Sequence, residues 1–247
     1  MSFPFNEIEF KRNAVRPIEC LKAGLELVRN KYWLFVGIAA VGMIIAAAVP
    51  LAILLGPMMC GMYLTLFKQR KGQPVEFADL FKGFDYFADS LIATLIHVVP
   101  AFIIVIPTYI FFYISMFAMM GASGGQPDPG VVLGFFGFWG VVLIVLFLVL
   151  MLISVAFTFV YPLIVDRRLS GFEAVKLSMK AAMANFWGVL GLMLLGGLLG
   201  LGGVLLCYVG AFLIAPITLG AMATAYEQVF GLGEVRPNVP PPPPTFV

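Results

Sequence analysis

Four stretches of this chain contain no Asp, Glu, Lys or Arg: Trp33 to Phe67, Leu91 to Pro127, Val131 to Val165 and Ala181 to Tyr226. A helix that crosses a bilayer needs about 20 apolar residues. Only helices and closed barrels satisfy their own backbone groups in hydrocarbon. The first and last tracts are too long for one ordinary span, so each predicts a helical hairpin. Hydrophobic residues make up 62% of the chain and charged ones 11%, against about 45–50% and about 25% in soluble domains. The chain therefore reads as an all-α integral membrane protein.

With Gly and Pro as punctuation and charges as boundaries, six transmembrane helices in three hairpins follow, at roughly 33–49, 51–68, 91–117, 134–165, 187–206 and 209–227. The first hairpin turns near Val49 and Pro50, the last near Cys207 to Gly210. The loop "GASGGQPDPG" separates the middle pair. The expected organisation is a cytoplasmic N-terminal segment over 1–16, a membrane domain over 17–232 and a disordered Pro-rich tail over 233–247.

The chain also repeats itself. At an offset of 154, Glu19 matches Glu173, Lys22 matches Lys176 and Trp33 matches Trp187. At an offset of 159, Pro57 matches Pro216, Gly61 matches Gly220, Thr65 matches Thr224 and Gln69 matches Gln228. The two registers differ by a change in turn length, which hairpins tolerate. They predict an internal duplication of units over about 17–71 and 171–230, each an amphipathic lead-in followed by a hairpin. The segment "FADLFKGFDYFADSLI" is a candidate third copy without the Glu, Lys and Trp markers. In the first lead-in, Ile18, Leu21, Leu25 and Val28 form an apolar stripe beside Glu19, Lys22, Glu26 and Arg29. In the middle one, Phe77, Leu80, Phe81, Phe84 and Phe87 face away from Asp79, Lys82, Asp85 and Asp89. Such helices suit the headgroup plane or the underside of the bundle.

All 15 Lys and Arg residues lie before Trp33, between Lys68 and Lys82, between Arg167 and Lys180, or at Arg236. Six spans put every one of these segments on the same side. Basic residues collect on the cytoplasmic side, so both termini are expected there, in a multi-pass protein of the inner (plasma) membrane. Splitting the 134–165 tract would export Arg167, Arg168, Lys176 and Lys180, so it reads as one long span. Residues 1–31 are charged throughout, and no cleavable signal peptide is expected in them.

Catalytic signatures are missing: no phosphate loop ending in Lys-Ser/Thr, no zinc-protease His pair, no Gly-x-Ser-x-Gly elbow. A single histidine rules out a His-pair metal site, and no metal, cofactor or enzymatic activity is expected. That residue, His97, is an intramembrane polar candidate. It reads equally as a neutral imidazole bonded to a carbonyl freed by Pro100 or to a nearby hydroxyl. Asp166, Arg167 and Arg168 close the fourth span where guanidinium groups can meet lipid phosphates, and Lys68, Arg70 and Lys71 offer the same chemistry. All five basic residues serve equally well as orientation signals. Pro57 and Pro216 are expected to kink spans two and six at equivalent depth. Gly196, Gly200 and Gly203 suit close helix packing, within the chain or between copies. Cys20, Cys60 and Cys207 have no disulfide or metal spacing and read as small apolar fillers. Pro240 to Pro244 predict an extended polyproline segment. A groove-binding partner suits it, as a sheet-edge domain suits the terminal Thr245-Phe246-Val247.

The stretch "GPMMCGMYLTLFKQRKGQPVEFADLFKGFDYF" resembles a pattern of uncharacterised bacterial multi-pass membrane proteins. In these a Gly-Pro span precedes a short basic stretch ending in Gly and an acidic, Phe-rich helix. "YPLIVDRRLSGFEAVKLSMKAAMANFW" resembles their later cytoplasmic segment. These proteins are similar to the membrane domain that accompanies some glycerophosphoryl diester phosphodiesterases. The resemblance spans most of residues 15–230 and implies a membrane domain; no phosphodiesterase catalytic domain lies in the sequence, so the enzymatic name does not transfer. The expected function is a lipid-interacting or partner-binding membrane module. The alternative is a small-solute or lipid transporter with a cavity between the duplicated hairpins. Candidate partners are membrane lipids, another membrane protein and a binder of the Pro-rich tail; no nucleic acid is expected.

Overall fold

The computed structural model describes residues 8–48, 52–205 and 209–232. Among them every regular element is helical. In chain order these are α1 (Pro17–Arg29), α2 (Tyr32–Ala48), α3 (Leu55–Arg70), a 3-10 segment (Phe77–Tyr86), α4 (Phe87–Ala122), α5 (Pro129–Phe157), α6 (Val160–Arg167), α7 (Gly171–Ala184), α8 (Phe186–Leu205) and α9 (Val209–Phe230). Local chemistry sets several starts. Pro17 opens α1, where its missing N–H costs no helical bond. Asp128 caps α5 by accepting from the Gly130 N–H at 2.7 Å, with Pro129 next in line. Ser170 and Glu173 form a reciprocal capping box on α7, as Glu76 and Asp79 do on the 3-10 segment.

Among the described residues four helical stretches are long and apolar enough to cross a membrane: Phe77–Ala122, Pro129–Arg167, Phe186–Leu205 and Val209–Phe230. Pro17–Arg29 and Tyr32–Ala48, bent by 104°, make a fifth if the pair is one span. The protein is therefore a helical, multi-pass, membrane-embedded chain. The expected second span differs from this count. Its helix α3 has 16 residues, about 24 Å at 1.5 Å each, and more than half of them are buried among other helices. Pro57 lies in the first turn of α3, where a proline breaks no intrahelical bond. It helps start the helix instead of kinking it, which corrects the expectation. Pro216 lies inside α9. The long 134–165 tract breaks near Thr158, where α5 gives way to the short, fully packed α6. The third span runs longer than the expected 91–117 at both ends, and α4 carries Pro100 and Pro107 in its interior.

Packing follows a cyclic order. The lead-in α1 lies along α9, the 3-10 segment along α3, and α7 along α5 and α6. Each lead-in thus runs beside the last helix of the preceding hairpin, and α1 closes the circle onto the last helix of the chain. Small residues make these approaches possible. A Cβ on Gly24 would overlap the backbone at Gly220 and Ala221, and one on Gly83 would overlap Pro57 O and Gly61. At the third crossing Ser178 Oγ donates to the Ala156 carbonyl at 2.7 Å and accepts from the Phe159 N–H at 3.1 Å.

The α4–α5 hairpin stands apart. Most of its large apolar side chains are exposed, and it carries its own small core around Trp139. The indole stacks edge-on against Phe112 and donates to Ser115 Oγ at 3.2 Å.

Candidate functional site

The charged ends of α3, α6 and α9 converge. α3 ends in Lys68, Arg70 and Lys71, α6 in Asp166 and Arg167, and α9 in Tyr226 and Glu227, because in each case a charge-free tract stops there. Asp166 is the hub, with only 2% of its side chain exposed. It accepts a hydrogen bond from the Tyr226 hydroxyl at 2.8 Å. Arg167 Nε lies 3.2 Å from it and Lys71 Nζ 3.8 Å. Arg167 also donates through Nη2 to the Phe230 and Gly231 carbonyls at 3.0 and 3.3 Å. It so caps the C-terminal end of α9, where carbonyls and the helix dipole favour a cation. Arg70 Nε donates to Glu227 at 2.8 Å. α3, α6 and α9 are thus tied pairwise.

An aromatic layer lies under the hub. The fully buried Tyr226 ring meets Phe67, Phe230 and Phe159 at centroid distances of 5.5, 5.1 and 6.5 Å. A second tie joins α3 to the 3-10 segment: Lys68 and Lys82 each place Nζ 2.7 Å from Asp79 Oδ1, and the Glu76 N–H donates to its other oxygen at 3.0 Å. At the chain's start, Gln228 Oε1 accepts from the Arg16 N–H at 3.1 Å and from the Cys20 thiol at 3.2 Å.

Of the five basic residues read as headgroup ligands, the structure pairs Lys68, Arg70, Lys71 and Arg167 with carboxylates. Arg168 is different. It sits in the left-handed region at φ 50° and ψ 39°, ends α6 and is exposed, near the Tyr86 side chain. His97 lies outside both ties, with its ring stacked on Phe157 at 4.5 Å. Cys20 and Cys60 are buried free thiols; Cys207 and the Pro-rich tail lie outside the described residues. Of the glycine stripe, Gly203 abuts the backbone of Gly210 within the chain, while Gly200 faces open space.

Sequence reasoning placed Asp166 at the end of the fourth span without giving it a role, and passed over Tyr226. The available signal was position: each is the polar residue at the edge of a charge-free tract. It also passed over a buried hydroxyl link in which Thr94 Oγ1 and Tyr161 Oη lie 3.0 Å apart, joining α4 to α6. A void beside Pro216, lined by Phe35, Ile38, Met62, Thr65 and Leu219, holds about 10 Å³, room for about one water. Among the described residues no three metal-ligating side chains come together. What the described side chains of the site form is a set of ion pairs and hydrogen bonds between helix ends. Comparison with protein-family models, curated proteins and solved structures finds no match.

Proposed function

We propose that this chain is a six-span inner-membrane protein, both termini cytoplasmic, that acts without chemistry of its own as a lipid-interacting module. In this reading α2 and α3 complete the span count as a short hairpin. The observation that carries the lipid reading is the division of labour among the basic residues. Four of the five candidates pair with carboxylates and hold helices together, whereas Arg168 is exposed at the end of α6. An exposed guanidinium at the edge of an apolar bundle is suited to phosphate oxygens.

We further read the chain as three related units in place of two. The cyclic packing supports this. Gly61 and Gly220 are equivalent at the offset of 159 and receive Gly83 and Gly24 respectively. Ser178, the equivalent of Gly24 at the offset of 154, makes the third crossing. The middle unit keeps the geometry after losing the sequence markers.

The lipid reading is tested by mass spectrometry of the protein extracted in mild detergent. Arg168→Gln should reduce retained acidic phospholipid about fivefold, the equivalent of the roughly 1 kcal/mol a basic residue contributes near an anionic surface. Unchanged lipid retention would leave Arg168 as an orientation signal and remove the lipid reading.

A further inference from the structure

Helices on protein surfaces usually turn large apolar side chains inward. The lead-in elements here also keep a row of large ones outside. α1 buries Cys20 and Gly24 against α9, together with Leu27 and Val28, while Ile18 and Leu25 are exposed, and just past its end Trp33 is 75% exposed. α7 buries Ala174, Leu177 and Ser178, while Phe172, Met179 and Met183 are exposed, and Trp187 follows at 79%. The 3-10 segment buries Leu80 and Gly83 and displays Phe77, Phe81 and Phe84. The physical reason is the crossing itself. The points of closest approach to the preceding hairpin need small residues, so much of the bulk falls on the outer face.

Each such side chain left in water forfeits about 1.5–3 kcal/mol relative to burial, so a medium or partner covers them. The same outer surfaces carry charges: Lys22, Glu26 and Arg29 on α1, with Lys31 beside Trp33, then Lys82 and Asp85 on the 3-10 segment and Lys176 on α7, all exposed. Lys176 folds its ammonium over the Phe172 ring at 4.4 Å. Charges at this density exclude the hydrocarbon core, and the aromatic rows exclude bulk water. The boundary between headgroups and acyl chains accepts both, and indole rings concentrate there.

We infer that the three lead-in elements form a girdle around the charged end of the bundle, seated in the headgroup–acyl boundary of one leaflet with Trp33 and Trp187 as its anchors. The occupant of the exposed surface is phospholipid. This rests on the lipid reading above but assigns it a different surface, so the two fail separately.

The full chain suits a depth measurement, because it has three tryptophans and Trp139 is buried between α4 and α5. The Trp139→Phe variant is reconstituted in zwitterionic phosphatidylcholine vesicles whose chains carry bromine at shallow, middle or deep positions. Both remaining indoles should be quenched most by shallow bromine and least by deep bromine. Trp33→Phe and Trp187→Phe are then added singly to assign each signal. Should Trp139→Phe fail to fold, subtracting the spectrum of Trp33→Phe or Trp187→Phe from that of the native chain gives the same depths. Strongest quenching by deep bromine overturns the girdle, as does no quenching at any depth. Quenching that rises steadily as protein is diluted in lipid shows a second copy on this surface and overturns it too. Zwitterionic lipid keeps the result independent of Arg168, whose failure would appear only in acidic-lipid retention.

Discussion

Glycine decides the closest contacts of this fold. Gly24 and Gly83 are sites where a methyl group would meet backbone atoms that cannot swing aside, whereas Gly200 faces open space. A glycine in a helix interior is about 1 kcal/mol worse than alanine on propensity alone. At Gly200, Ala should therefore leave stability unchanged or raise it. Gly24→Ala and Gly83→Ala should each lower it by about 1–3 kcal/mol, the usual penalty of overpacking, read by denaturant titration in detergent micelles. Equal effects at all three positions would contradict the crossings. Which glycines make these contacts was not legible in advance, since a glycine looks the same in the sequence whether it meets a backbone or a lipid.

Among the elements, the hub at Asp166 joins α3, α6 and α9 at their charged ends. Removing one partner of a buried ionic network leaves its neighbours uncompensated and costs about 3–5 kcal/mol. Exposed pairs contribute about 1 kcal/mol or less. Asp166→Ala should therefore destabilise the protein by about 3 kcal/mol in the same titration. Arg70→Gln, whose pair with Glu227 has each side chain about one-third exposed, should cost under 1 kcal/mol. The reverse order would show that the hub is not what holds these ends together. The elements themselves were largely readable. The last two helices fall within a few residues of the expected 187–206 and 209–227, because charge-free runs and glycines mark them. Which helices touch was not readable, since the partner of Arg70 lies 157 residues away and nothing local announces it. Whether α3 packs or spans was not readable for the related reason that a buried helix and a spanning one share the same composition.

At the scale of the whole molecule, the hairpins differ in height. α4 has 36 residues and α2 has 17, about 54 and 25 Å, against a hydrocarbon core of about 30 Å. What the three hairpins share is the end at which charge gathers, and the account depends on that end facing the cytoplasm. One measurement tests it directly. In a background with Cys20, Cys60 and Cys207 replaced, single cysteines are introduced as Gln126→Cys, in the loop between α4 and α5, and Gln73→Cys, between α3 and the 3-10 segment. Both positions are exposed. In intact spheroplasts a membrane-impermeant maleimide should label the protein at position 126 and leave position 73 unreacted until the membrane is opened. Labelling at 73 from outside, or equal labelling at both positions, would contradict the one-sided arrangement of charge.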